Sequence, residues 1–243
     1  MIIHNDASFS IWFGDARDSF VPADYYDLVQ LNYLFEHEPF VYAQKKLKLN
    51  NIVFLKQVHS ADGLVIKDIQ QLANMSPFSH KGDFLVTKQS RLGLSVATAD
   101  CLPIVVYDTF SHAIAIVHAG WRGSVQHIAQ SALEALENNF AARRESVKFF
   151  FGPCAKVCCY QVGDELLSTL EQFSFIDDVV VQRGGSYYFN LSQFNKLLLQ
   201  EIGVSKEACN MHYNLCTMCD ESFCSYRRSN GASDRQMTVV VLK

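Results

Sequence analysis

Two neighbouring runs constrain the fold more than any other part of the chain. Residues 104–107, in a strand-like run over 102–107, and residues 113–117 are apolar at both alternating positions, and a strand with two apolar faces must be covered on both. Asp108-Thr109-Phe110-Ser111 between them has the length and composition of a tight turn. The pair therefore predicts an antiparallel hairpin inside a layered protein.

The rest of the chain supplies the covering layers. Short runs at 9–13, 52–57, 63–66, 83–87, 92–97, 147–151, 179–182 and 238–242 read as further strands. Residues 124–140 predict the clearest helix, because Val125, Ile128, Ala129, Ala132, Leu133, Leu136 and Phe140 recur every three or four positions. Ser124 is its expected N-cap. Further helices are predicted at 164–173 and 191–202, the latter stopped by Gly203; residues 24–49 have helical character and 70–81 read as a loop. Strands and helices intermix without βαβ alternation, which indicates an α/β (α+β) fold with mixed sheets. No linker or repeat divides the chain, so one domain over 1–243 is expected. With 49% hydrophobic and 19% charged residues, such a chain has a large core and needs no disulfide staples.

Charge narrows the partners. A net charge of -4 and only short basic pairs, such as Lys45-Lys46, Arg143-Arg144 and Arg227-Arg228, argue against nucleic acid. The first residues lack a basic segment followed by an apolar run, and no apolar stretch reaches membrane-spanning length. A cytoplasmic location without a membrane partner is the expectation, and there thiols stay free or bind metal.

Of the eight cysteines, only Cys101 precedes residue 150. It stands in Ala99-Asp100-Cys101-Leu102-Pro103, and two histidines occupy similar strand-edge positions: His59 in Gln57-Val58-His59-Ser60, and His118 in Val117-His118-Ala119-Gly120-Trp121-Arg122-Gly123. Two imidazoles and a thiolate make a sensible zinc shell with a fourth position open. Two other readings stay open on spacing alone: satisfied buried side chains, or a Cys–His nucleophile pair. Asp100 is a candidate proton shuttle or ligand-orienting group, and Gln57 faces the same side of its strand as His59. Arg122, between Gly120 and Gly123 before a helix, is a candidate oxyanion holder; a solvated turn is the bland alternative. Arg227 and Arg228 lie beside the Ser229-Asn230-Gly231 turn. Cys216-Thr217-Met218-Cys219 with Cys224 and His212, and separately Cys154 with Cys158 and Cys159, can each be drawn as a zinc knuckle. Neither set has a matching second pair, so packed thiols are the expectation for all seven.

Several separated blocks together resemble the YfiH family, also called the laccase-domain or multi-copper polyphenol oxidoreductase family. They are Leu55-Lys56-Gln57-Val58-His59-Ser60-Ala61-Asp62, Gly82-Asp83-Phe84-Leu85-Val86-Thr87, Thr98 to Pro103, Val117 to Gly123, Gly152-Pro153-Cys154 with Cys159 to Gly163, and Ser225-Tyr226-Arg227-Arg228. The resemblance implies a four-layer α/β/β/α sandwich and a zinc site of His59, Cys101 and His118. It implies a purine nucleoside phosphorylase that uses phosphate to cleave adenosine, inosine, guanosine or methylthioadenosine, with adenosine deaminase activity. Purine nucleosides and phosphate are then the partners of a monomer or weak homodimer. The other activities linked to the family are copper polyphenol oxidation and editing of cell-wall peptide precursors by a cysteine- or metal-dependent amide hydrolase; a non-enzymatic interaction module is the remaining class. Zinc suits the residues better than copper, since the chain has eight histidines and no His-x-His pair. Arg17, in Phe13-Gly14-Asp15-Ala16-Arg17-Asp18, stands near the place of the family's N-terminal arginine. Asp234-Arg235 replaces a glycine-arginine pair.

Overall fold

The computed structural model describes residues 2–243. A five-stranded sheet runs in the order β1 (Ile2–Asn5), β2 (Phe9–Phe13), β14 (Gln236–Leu242), β6 (Leu92–Thr98) and β3 (Asn51–Phe54). A six-stranded sheet runs β13 (Cys209–Asn210), β9 (Val147–Phe151), β7 (Leu102–Asp108), β8 (Ile114–Ala119), β5 (Phe84–Thr87) and β4 (Gly63–Ile66). A smaller sheet joins β10 (Gln161–Val162), β12 (Ser186–Phe189) and β11 (Val180–Arg183). The helices are α1 (Phe40–Leu47), α2 (Trp121–Val125), α3 (Ile128–Phe140), α4 (Asp164–Leu170), α5 (Ile176–Val179) and α6 (Leu191–Glu201). Both large sheets are mixed: β3 with β6, β4 with β5 and β9 with β13 pair in parallel, and their other pairings are antiparallel.

The doubly apolar pair is the centre of this arrangement. β7 and β8 pair antiparallel with Ile104 opposite Val117 and Val105 opposite Ile116, and every residue of both strands is buried. Alternation sends their side chains to two different cores. Leu102, Ile104, Val106, Ala115, Val117 and Ala119 face α3 and α6, while Val105, Tyr107, Ile114 and Ile116 face the five-stranded sheet. In β14, Val240 and Leu242 turn toward the other sheet, and Met237, Val239 and Val241 turn toward α1 and Phe40. Three apolar layers thus separate four layers of structure, α/β/β/α.

Three local expectations change. The helix foreseen over 124–140 is broken, because His127 takes a left-handed conformation (φ 61°) between α2 and α3. Ser124 is not its N-cap; it is buried within α2 and accepts a 2.9 Å hydrogen bond from the Asn195 amide of α6. Tertiary contacts hold that first turn out of line with α3, overriding an unbroken apolar period. Residues 180–189 form a hairpin through Gly184 (φ 56°) and Gly185 (φ 77°), the glycine pair that a tight two-residue turn requires; only its first strand was expected. The 24–49 region is mostly short 3-10 turns, with α1 its one α-helix. No helix among the described residues is long and apolar enough to cross a membrane.

Candidate active site

The buried carboxylate of Asp83, one residue before β5, organises the site. It accepts the backbone N–H of Val58 (3.2 Å), His59 (3.0 Å) and Ser60 (2.7 Å), plus the Ser60 hydroxyl. These bonds support a loop in which His59 has φ 62°, a conformation that costs a residue with a side chain on the order of 1 kcal/mol or more. The same carboxylate accepts from His118 Nδ1 at 2.8 Å. His118 Nε2 is thereby turned toward His59 and Cys101, with the acidic partner fixing its tautomer. Asp83 was visible only as part of a motif. The signal for its role is its position at the edge of β5, beside the His118 strand.

The three donor side chains converge. Cys101 Sγ lies 3.8 Å from His59 Nε2, the two imidazoles stand 4.9 Å apart, and the donor atoms of His59, Cys101 and His118 all fall within 4.8 Å of one another. Gly120 makes room for them. A Cβ there would stand 2.8 Å from His59 Cδ2 and 3.1 Å from Cys101 Sγ. Burial pushes the Cys101 thiol up, but His118 and His59 outweigh it and bring it down to about 6. Burial lowers His118, and Cys101 and Asp83 reverse that, raising it to about 9. A thiolate beside nitrogen donors, one braced by a carboxylate, fits a borderline-soft cation such as zinc or copper.

The cluster opens into a cavity of about 560 Å³, within the range of small-molecule sites. Leu55, Phe78, Ala97, Ala99, Pro22 and Tyr26 give it apolar and aromatic walls; Arg122, Arg235, Ser233 and Tyr226 supply polar groups. Tyr26 and Ser233 carry no signal of this in the sequence, being far from the ligand motifs; Tyr226 and Arg235 stand in segments that the sequence marks, the Ser225-Tyr226-Arg227-Arg228 block and Asp234-Arg235, without a role at the site.

The remaining candidates are placed unevenly. Gln57 lines the cavity, but both ends of its amide are bound to the backbone of Ala97, at 2.8 Å each. Arg122 lines it too, stacked on Trp121 and donating to Glu165 at 2.8 Å. It sits in a helix of only five residues, so the helix-dipole part of its expected oxyanion role is weak. Asp100 does not line the cavity. Its Oδ1 accepts from the Thr217 hydroxyl at 2.7 Å and its Oδ2 from Arg227 N–H at 2.8 Å, next to Cys101 in the chain. Arg17 is tied to Asp15 in a separate surface cleft. Arg227 donates to the Gln161 carbonyl at 3.0 Å, and Arg228 to the carbonyls of Thr217 and Phe223. None of these three lines the cavity.

Residues 37–243 match the family model described as multi-copper polyphenol oxidoreductase laccase. The chain belongs to that family. It is similar to a purine nucleoside phosphorylase of Borreliella burgdorferi (32% identity, covering 78% of this chain and 77% of that one). Adenosine deaminase RL5 of an unknown prokaryotic organism is 30% identical, covering 82% and 78%. Among solved structures, the Bacillus licheniformis hypothetical protein YfiH superposes with a TM-score of 0.80 at 25% identity, covering 97% and 93%. Neisseria meningitidis protein NMB0706 does so with 0.78 at 20%, covering 100% and 98%. The laccase-family architecture is thus the YfiH-like fold, and His59, Cys101 and His118 form a candidate metal-binding cluster whose donor atoms are close enough to share one ion.

Proposed function

We propose that the chain is a zinc-dependent purine nucleoside enzyme that cleaves nucleosides with phosphate to free base and pentose 1-phosphate and also deaminates adenosine. The observation that carries this reading is the opening of the His59–Cys101–His118 cluster onto a cavity with aromatic walls and two arginines. The names borne by the relatives point the same way.

His59, Cys101 and His118 would hold the zinc, which when bound supplies Lewis-acid polarisation and lowers the pKa of water. With the metal bound, Asp83 would hold the His118 proton on Nδ1 and leave Nε2 as the ligating atom. Phe78 and Tyr26, with ring centroids of Tyr26 and Phe78 5.6 Å apart, offer faces and edges for a purine. Arg122 and Arg235 offer guanidinium groups to phosphate as it attacks the anomeric carbon and the bond to the base breaks. Gln57, locked to Ala97, and Asp100, locked to Thr217 and Arg227, position the His59 and Cys101 loops.

The deciding experiment incubates metal-analysed protein with inosine and with adenosine, each with and without phosphate. Base plus pentose 1-phosphate from inosine, only with phosphate, supports phosphorolysis; inosine from adenosine supports deamination. No product in any of these reactions overturns the reading.

One observation favours a second reading. Asp83, His118 and Cys101 form a carboxylate–imidazole–thiol series, the arrangement of a cysteine hydrolase. Cys101 would attack an amide carbonyl, such as that of a cell-wall peptide precursor, with His118 passing the proton to the departing amine and water releasing the acyl group. Metal-free protein that hydrolyses such an amide and is inactivated by alkylation of Cys101 would favour it. A copper polyphenol oxidase is the activity that the family model's description names; against it, a multi-copper centre needs histidines in repeated pairs and the chain has none.

A further inference from the structure

The seven late cysteines divide into two groups. Cys154, Cys209 and Cys224 are buried and behave as small apolar side chains. Cys158, Cys159, Cys216 and Cys219 do not: they are partly or fully exposed, and all four sulfurs lie within 4.8 Å of one another. The sulfur–sulfur approaches are 3.4 Å for Cys158 to Cys216, 3.5 Å for Cys158 to Cys219 and 2.9 Å for Cys159 to Cys219. A tetrahedral zinc with Zn–S of about 2.3 Å has sulfur–sulfur edges near 3.8 Å, so the cluster already has the size of such a shell. Each knuckle drawn from sequence lacked the pair that the other provides.

The backbone is built around the sulfurs. Cys216 Sγ accepts N–H groups from Met218 and Cys219, two and three residues on, and from Lys156 of the facing loop. Cys158 and Cys159 sit in a turn closed by Cys159 N–H and Tyr160 N–H donating to the Lys156 carbonyl, at 2.9 and 2.8 Å. That turn lets two adjacent side chains reach one centre, which an extended strand forbids. The two loops are joined by backbone bonds from Cys154 to Leu215 and from Thr217 to Cys154, both 3.0 Å. Cations surround the cluster: Arg183 donates to the Val157 and Cys158 carbonyls, and Arg228 to those of Thr217 and Met218. Those positive charges suit the net double negative charge of a divalent cation held by four thiolates.

We propose that Cys158, Cys159, Cys216 and Cys219 form a second, structural metal site for one soft divalent cation of zinc's class, distinct from the His59–Cys101–His118 cluster. Four thiols lose four protons as the cation binds, with no change of oxidation state. The site staples the 156–160 turn to the 215–220 loop. Thr217, held between two of the ligands, donates to Asp100 at 2.7 Å, so the staple also steadies the residue next to Cys101. This inference does not depend on the nucleoside reading.

The test is metal content by native mass spectrometry of the full chain, purified with reductant and supplied with zinc. The Cys158→Ser/Cys219→Ser double variant is expected to carry one ion fewer than wild type, whereas His59→Ala/His118→Ala retains that ion. Equal metal content in wild type and the cysteine variant overturns the proposal, as does a Cys159–Cys219 disulfide that persists under reductant. If the cysteine variant does not fold, a Cys101→Ser chain loaded with cobalt decides the matter. Intense sulfur-to-cobalt charge transfer in that chain supports the four-thiolate site, and its absence overturns it.

Discussion

The carboxylate of Asp83 meets the imidazole of His118 at 2.8 Å in the protein interior, and the same carboxylate holds the His59 loop through three backbone N–H groups. One buried acid thus aims one ligand and fixes the backbone of another. Burial pushes its pKa up, but His118 and the loop N–H groups hold it down at about 2, so it stays a carboxylate at neutral pH.

Replacing that carboxylate is expected to loosen the metal before it unfolds the chain. Asp83→Asn turns an NH2 group toward donors that need an acceptor, and metal affinity should fall about 10–100-fold, as for other orienting partners of ligand histidines. Competition titration against a chromophoric chelator measures it, and unchanged affinity would remove Asp83 from the centre.

Gly120→Ala tests the crowding of the three ligands. Gly120 has φ -71°, which alanine adopts without strain, yet the added carbon would press on His59 and Cys101. Metal affinity should drop while the thermal midpoint of the apoprotein stays close to wild type. The reverse pattern would falsify the close-packed site.

Arg122→Ala and Arg235→Ala test the two guanidinium groups on the cavity wall. Loss of one charged hydrogen bond is worth about 1.5–3 kcal/mol, so KM for phosphate should rise roughly 10–100-fold at saturating inosine. Initial rates against phosphate concentration give the answer. A phosphate KM unaffected by either substitution sinks the assignment.

Asp108 provides an acid-stability prediction away from the site. Burial raises its pKa, but hydrogen bonds from Ser111 and Ser146 outweigh that and leave it below the ordinary carboxylate value. A depressed folded pKa gives stability that is present above the unfolded value, near 4, and lost as pH falls through the folded one. Asp108→Asn should therefore be less stable than wild type near neutrality, with the gap narrowing below about pH 4. Urea unfolding at several pH values checks this; a gap that widens in acid contradicts it.

Ile116 lies fully buried between the two large sheets. Ile116→Ala should cost about 2–5 kcal/mol by lost contacts and a residual cavity. Equilibrium denaturation measures the loss, and a cost below about 1 kcal/mol would mean that the inter-sheet layer collapses around the gap.

Local pattern was enough for the doubly covered β7–β8 pair, for α6 ending before Gly203, and for the identity of His59, Cys101 and His118 as candidates. Those features rest on alternation, helical period and side-chain chemistry, each carried by residues near one another in the chain. The break at His127 was invisible because Ser124 answers to Asn195, 71 positions away. The hydrogen-bond partners of Asp83 and Asp100 and the place of Arg235 on the cavity wall were hidden for the same reason: such contacts are made by whichever groups the packed sheets bring together. The cysteines show the division most directly. Sequence spacing left seven late thiols as packing, since neither group formed a complete ligand set. Only the tertiary structure, by closing the 156–160 turn onto the 215–220 loop, made two incomplete pairs into one four-sulfur cluster.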